Sequence, residues 1–339
     1  MTTNYWEASP AAMQEAAALL RAGEVEALPT ETVYGLAANA LDPTAVSKIF
    51  EAKGRPQDNP LIVHIAHFDA LAPLVRDIPD TARALAEAFW PGPLTLIFPR
   101  SALVPATTSG GLDTVAIRLP AHPVARKVIE LAGVPLAAPS ANRSGSPSPT
   151  TARHVLEDLD GRIAAVLDGG SCEVGVESTV LDLTGETPRL LRPGGITVEM
   201  LRAVIGEVEV DAAVTQPLAH GAKAASPGMK YKHYAPKAKV VLLQGTAEAY
   251  TRYINRHAAP GVLALCFDGE QTALQVPFLT YGRRDDHAAQ ARRVFEALRQ
   301  ADEQGARLVY AACPESDGVG LAVYNRLLRA AAFEVIPVD

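Results

Sequence analysis

Cysteine is scarce. The 339 residues contain three, Cys172, Cys266 and Cys313, far apart and odd in number. They form no CxxC and cannot pair completely, which argues against a disulfide scaffold or a thiolate zinc cluster. Aromatic residues make up 6% of the chain, too few to favour a stacking platform for single-stranded nucleic acid. No run of about 18 apolar residues occurs, so no membrane span is expected. The opening MTTNYWEASP has neither the basic nor the apolar stretch of a signal peptide. Basic excess is missing as well. Residues 1–206 hold 16 Lys+Arg against 23 Asp+Glu, and residues 207–339 hold 15 of each. Wholesale binding of a phosphate backbone is therefore not expected. The G-x-x-x-x-G-K-[ST], GxSxG and HExxH signatures are all absent. Gly318-Val-Gly320 lacks the third glycine and the preceding strand of a dinucleotide fingerprint. The eight histidines show no metal-ligand spacing, so no protein-held metal is expected.

What remains is a core-forming composition, 48% hydrophobic and 20% charged, with 25 Gly and 26 Pro to serve many turns. At roughly 150 residues per domain the length predicts two domains. A cytoplasmic protein of two α/β units is the expectation. Ser9-Pro10 and Asp42-Pro43 read as helix starts, with Gly23 and Gly54 as stops. Further helices are expected at Asp80–Phe89, His122–Leu131 and Thr151–Leu159. Strands are expected at 25–28, 60–65, 94–98, 114–119, 134–138, 163–167 and 178–183, with another ending at Arg192. Beyond an acid-free stretch between Asp211 and Glu248, strands at 240–243, 261–267 and 308–311 alternate with helices at 247–257, 287–304 and 321–332. That alternation predicts a small parallel sheet with helices on its faces.

Five clusters carry polar chemistry. LPTETVYGL (28–36) puts Thr30, Glu31 and Thr32 just past a strand, either as an ordinary turn or as substrate contacts. KIFEAKGRPQDNPLIVHI (48–65) sets Lys53 and Arg55 at a helix C-terminus. Cations are favoured there in any case, yet a rigid Lys–Arg pair also suits a triphosphate. His64, inside an apolar strand, is either a satisfied core residue or a ligand contact. In DTVAIRLP (113–120), Arg118 interrupts an apolar strand and needs an anion, supplied by an internal carboxylate or by a ligand. APSANRSGSPSPT (138–150) offers Ser140, Asn142 and Ser148, as a surface loop or a phosphate wrap. VESTVLDL…RLLRPGGIT (176–197) contributes Ser178 and Arg192. SPGMKYKHYAP (226–236) packs two Tyr, a Met and a His into a basic linker, as if covering something anionic.

These strings, together with WPGPLT and LDTVAIRLPAHP and in this order, resemble the YrdC-like family in its long form, whose members make L-threonylcarbamoyladenylate. The resemblance spans residues 28–236. Beyond them the chain is matched only by length and β/α pattern. It implies a YrdC-like domain at 1–206, with a twisted mixed sheet around a concave site. A structured linker at 207–237 would lie over that site, followed by a small Rossmann-like α/β domain at 238–339, which we expect to brace the linker. The implied reaction takes L-threonine, bicarbonate and ATP, with Mg²⁺ accompanying the nucleotide and no redox cofactor. The product would pass to a separate tRNA threonylcarbamoyl transferase complex, without stable tRNA binding or membrane attachment.

The resemblance also distributes roles. Thr32, His64, Arg118, Ala138 and Ser178 would form the threonine site, with Arg118 taking the substrate carboxylate and Ala138 acting through its backbone. Arg55, Asn59, Thr114, Ser140, Asn142, Ser148, Arg192 and Tyr231 would form the ATP site, Tyr231 as a lid. Lys53 and Arg55 would act at the phosphates. Two other readings exist. One is a carbamoyl-phosphate-using relative from hydrogenase maturation, whose zinc-finger and acylphosphatase modules are not seen here. The other is a double-stranded-RNA-binding module without ATP turnover, which the negative first domain disfavours.

Overall fold

The computed structural model describes residues 2–217 and 233–339. They fall into two compact units. The first comprises the chain up to Ser144 and Ser148–Val214. The second takes in Gly145–Pro147, Thr215–Pro217 and the described chain from His233 onward.

The first unit is a mixed sheet of eleven strands flanked by helices. Its strands are β1 (Asn4–Glu7), β2 (Glu26–Leu28), β3 (Gly35–Asn39), β4 (Ile62–His64), β5 (Leu94–Pro99), β6 (Thr114–Arg118), β7 (Leu136–Ala137), β8 (Ala165–Asp168), β9 (Thr179–Asp182), β10 (Arg189–Arg192) and β11 (Glu209–Val210). They lie side by side as β1-β8-β2-β3-β7-β4-β6-β5-β9-β10-β11. Parallel pairs such as β4 with β6 alternate with antiparallel ones such as β5 with β6. The expected strand at 134–138 is reduced to Leu136–Ala137. β11 lies inside the stretch expected to be linker, so the first unit runs on to Val214.

The helices start where local chemistry dictates. In α1 (Pro10–Arg21) the Ser9 hydroxyl accepts from Ala12 N at 3.2 Å, and Pro10 occupies the first turn. In α2 (Pro43–Lys53) the Asp42 carboxylate accepts from Thr44 N at 2.8 Å, and Gly54 closes the helix in the left-handed region at φ 63°. The others are α3 (Asp80–Phe89), α4 (Ala106–Ser109), α5 (Pro123–Ala132), α6 (Ala152–Leu159) and α7 (Val198–Ile205). On α1, Ala12, Ala16, Ala17 and Leu20 form one apolar stripe. It packs with Val128 and Ile129 of α5 over Leu28, Ala37 and Leu167 of the sheet. A second cluster joins Ile62, Ile97, Ala116, Val180 and Leu191.

The second unit is all parallel. It consists of β12 (Lys239–Gln244), α8 (Ala247–Arg256), β13 (Val262–Cys266), β14 (Phe278–Thr280), α9 (His287–Glu303), β15 (Leu308–Ala312), α10 (Gly320–Ala330) and β16 (Val335–Pro337). The strand order is β14-β13-β15-β12-β16. Counted within the unit that is 3-2-4-1-5, so the likeness to a Rossmann sheet lies in the parallel crossovers and not in the order of a dinucleotide-binding domain. Among the described residues no helix is long and apolar enough to cross a membrane.

Glu26, on β2 in the first sheet, is fully buried, and among the described residues neither carboxylate oxygen has a hydrogen-bond partner. Burial pushes its pKa from 4.5 to about 8. Below pH 4.5 both folded and unfolded chains hold this proton. Between 4.5 and 8 the unfolded chain releases it first, so stability falls as pH rises, by an amount on the order of several kcal/mol over the window. Glu26→Gln removes the titration. Its melting curve should run close to that of the parent near pH 5 and move well above it by pH 8. Two parallel pH profiles would refute this account.

Candidate active site

Sheet register places the central residues. His64 of β4 pairs with Arg118 of β6, and Arg118 pairs in turn with Thr95 of β5. Directly paired residues share a face, so these three side chains form one row across the sheet. Arg118 is 4% exposed and surrounded by acceptors. Its Nη2 donates to Glu31 Oε1 at 2.6 Å, Nη1 to Thr32 Oγ1 at 2.9 Å, and Nε to the Gly92 carbonyl at 3.3 Å. Burial opposes the charge on Glu31, but the charge of Arg118 and its hydrogen bond together hold that carboxyl below its ordinary value. The anion required by Arg118 is therefore internal. Of the two sources the sequence left open, an internal carboxylate or a ligand, the internal one is present. Among the described residues three of its five N–H groups are engaged, and a ligand would bind an arginine already neutralised and fixed in place.

His64 is buried, and both burial and the nearby Arg118 lower its pKa to about 3, so the ring is neutral at ordinary pH. Its Nδ1 lies 3.3 Å from the Ile62 carbonyl. A carbonyl only accepts, so Nδ1 carries the proton, and Nε2 is left as an acceptor. His64 lines a small pocket with Thr30, Gly35, Leu136, Pro120 and Ala138. Ala138 follows β7 and is fixed by its N–H on the Ile62 carbonyl at 2.9 Å.

Ser178 precedes β9. Its hydroxyl is 2.8 Å from that of Thr95, which ties it to the row of Arg118 and His64. Arg192 wraps the same residue, with Nε donating to the Ser178 carbonyl at 3.0 Å and Nη2 to its hydroxyl at 3.2 Å. Gly194 makes this possible. A Cβ there would stand 2.4 Å from Thr179 N and 2.6 Å from Glu177 O, closer than atoms can approach.

The serine-rich loop is held from inside. Lys53 Nζ donates to the carbonyls of Ser140 and Asn142, the latter at 2.6 Å, and to Asn142 Oδ1 at 3.2 Å. Those three bonds use all three protons of an ammonium. Burial, with Arg55 nearby, pulls its pKa well down. Lys53 thus shapes the loop, with its donors turned to the Ser140 and Asn142 carbonyls and the Asn142 amide oxygen. Ser140 Oγ donates to Asn142 Oδ1 at 2.6 Å, and the Ser148 hydroxyl donates to the buried Glu177.

The remaining expected residues sit at the other end of β4 and β6. Arg55 Nη2 reaches the carbonyls of Asn59 at 3.4 Å and Pro60 at 3.2 Å. Extending the Ile62–Ala116 register back two residues brings Pro60 beside Thr114, roughly 13 Å along β6 from Arg118. Asn59 is 1% exposed, and among the described residues neither Oδ1 nor Nδ2 has a partner. A buried amide with no partner is rare and calls for a ligand or water. Tyr231 lies outside the described residues. The sequence reading missed the roles of Thr95 and Glu177, although both lie in strings it singled out. Among the described residues one histidine–carboxylate cluster forms, in the second unit. There His287 Nε2 faces Glu315 at 3.6 Å and Nδ1 faces Asp317 at 3.8 Å. The two ring nitrogens face different carboxylates.

Fold and site together define a two-domain protein of the YrdC-like class. The family described as "Telomere recombination" matches residues 18–194, and "Threonylcarbamoyl-AMP synthase, C-terminal domain" matches residues 196–332. The threonylcarbamoyl-AMP synthase of Pyrococcus abyssi is 50% identical over 331 residues, covering 95% of each chain. That of Bacillus subtilis is 49% identical over 327 residues, covering 95% of this chain and 93% of its own. The crystal structure of P. abyssi Sua5 complexed with L-threonine superposes with a TM-score of 0.91 at 45% identity, covering the whole of both chains. The chain belongs to the threonylcarbamoyl-AMP synthase family.

The Gly194 contact yields a direct expectation. Gly194→Ala must displace the 177–179 backbone, an overpacking on the order of 1–3 kcal/mol. With Ser178 and Arg192 moved together, kcat/KM should drop at least about ten-fold, since each tenfold is about 1.4 kcal/mol. Gly185→Ala, whose Cβ would meet only Thr187 O at 3.6 Å, an ordinary contact, serves as the control. Equal activity of the two variants would remove Gly194 from the site's architecture.

Proposed function

We propose that this chain condenses L-threonine, bicarbonate or CO₂, and ATP into L-threonylcarbamoyladenylate and pyrophosphate. The observation that carries the reading is the bond between Arg192 and Ser178. A side chain assigned to the nucleotide holds one assigned to the amino acid, so the two substrates meet there. A double-stranded-RNA-binding role without ATP turnover has no comparable support.

The chemistry asks little covalent work of the protein. The neutral threonine amine attacks CO₂, or bicarbonate with loss of water, and gives up a proton to form a carbamate. A carbamate oxygen then attacks the α-phosphorus, the bond to the β-phosphate oxygen breaks, and pyrophosphate leaves. Positioning and charge stabilisation carry such a reaction. Thr32, Arg118 and Ser178 orient threonine, and the neutral His64 accepts a hydrogen bond at Nε2. Arg55, Asn59, Thr114, Ser140, Asn142, Ser148 and Arg192 hold the nucleotide. Mg²⁺ enters with ATP as part of the substrate. Tyr231, by resemblance, closes over it. The product is a mixed anhydride that retains group-transfer potential. A separate tRNA threonylcarbamoyl transferase complex would consume it.

Pyrophosphate release by the purified protein is the test. It should require ATP, threonine and bicarbonate together, and release without threonine would refute the reaction. Arg118→Ala combined with Glu31→Gln, which avoids stranding the buried carboxylate, should raise the threonine KM at least about ten-fold. Arg55→Ala should instead raise the ATP KM and leave the threonine KM unchanged.

A further inference from the structure

Three residues of the serine-rich loop, Gly145–Pro147, belong to the second compact unit, although Ser144 and Ser148 on either side belong to the first. Within that unit they are fastened at two points. Ala235 N donates to the Gly145 carbonyl at 2.9 Å. Arg299 Nη2 donates to the Pro147 carbonyl at 2.6 Å. Arg299 lies on α9, 8% exposed. Four residues earlier on the same helix, hence on the same face, Phe295 packs against the ring of Tyr234 with centroids 5.4 Å apart. Arg326 of α10 stands over that ring at 5.4 Å. Tyr234 is held in the left-handed region at φ 64°, unusual for a non-glycine residue and consistent with a position fixed by its packing.

One face of α9 therefore anchors both the residues that follow the linker, Tyr234–Ala235, and the tip of the loop. The next residue after Pro147 is Ser148, whose hydroxyl is committed to Glu177. We infer that Arg299 is a positioning residue for ATP: by holding the Pro147 carbonyl it sets the conformation of the loop that presents Ser148, Asn142 and Ser140 to the nucleotide. The loop is secured from two sides, by Lys53 at Ser140 and Asn142 and by Arg299 at Pro147. A charge-assisted bond from a buried guanidinium is well suited to this, being short and directional. The inference rests on the reading of this loop as part of the ATP site.

The experiment is steady-state pyrophosphate release by the full chain carrying Arg299→Met, which keeps the aliphatic packing and removes the donor, and Arg299→Lys, which keeps a cationic donor. The Met variant should show an ATP KM raised about five- to ten-fold with the threonine KM within about two-fold of the parent, and the Lys variant should recover most of the loss. A purely structural role would lower the active fraction and hence kcat, with neither KM moved. That result, or equal KM values for ATP in parent and Met variant, would overturn the inference. Hydrogen exchange of the amides in 139–150, read in the absence of nucleotide, should be faster in the Met variant than in the parent. Unchanged exchange there also counts against it. A parent protein that releases no pyrophosphate would condemn the ATP reading itself, a failure distinct from any outcome with Arg299.

Discussion

A guanidinium removed from water must meet an anion, and nearly every feature of the first unit's site is arranged around the one at Arg118. Its partner Glu31 is 87 residues away in sequence and sits in the turn after β2. The same turn supplies Thr32 to a second nitrogen. The pair fixes that turn against β6, and the turn in turn meets the serine-rich loop. Leu36 N bonds to the Pro139 carbonyl at 2.7 Å and Ala141 N to the Tyr34 carbonyl at 2.8 Å. Removing either charge alone would leave the other buried and unpaired, a costly state. The pair is thus less a source of net stability than a device that allows one arrangement of the turn and the serine-rich loop.

Around this pair the site is built of side chains that are already occupied. Lys53 is spent on the loop backbone, Ser148 on Glu177, Arg192 on Ser178, and the Ser178 hydroxyl also on Thr95. Such groups cost little reorganisation when a ligand arrives, because their orientation is fixed beforehand. Asn59 is the counterexample among these residues, buried with both ends of its amide unmatched. A ligand that cannot supply both a donor and an acceptor there gains nothing from the burial.

Much of this was legible in the sequence, and the parts that were not share a cause. Helix starts at Ser9-Pro10 and Asp42-Pro43 and the stop at Gly54 are local chemistry and occur where that chemistry places them. Strand β3, Gly-Leu-Ala-Ala-Asn, was not readable. Its residues have little strand preference, and it is a strand because β2 and β7 offer ladders on both sides. The short edge strands β1, β11, β14 and β16 depend likewise on neighbours distant in sequence. At the site, the pattern could say that Arg118 needed an anion but not that Glu31 provides it. It could say that Lys53 stands near phosphates but not that the loop takes all its protons. Residue types announce a requirement, whereas pairing across 87 residues is decided by topology.

The three residues at the tip of the serine-rich loop make the second unit discontinuous in sequence. No single cut of the chain separates the molecule into two whole parts: a fragment carrying α9 and α10 would lack Gly145–Pro147, and one carrying the large sheet would keep them without the Arg299 donor. The modularity suggested by two folds in tandem is therefore incomplete. A single bond to a backbone carbonyl, from Arg299 on α9 to Pro147, thus ties together stretches that stand 152 positions apart in the chain.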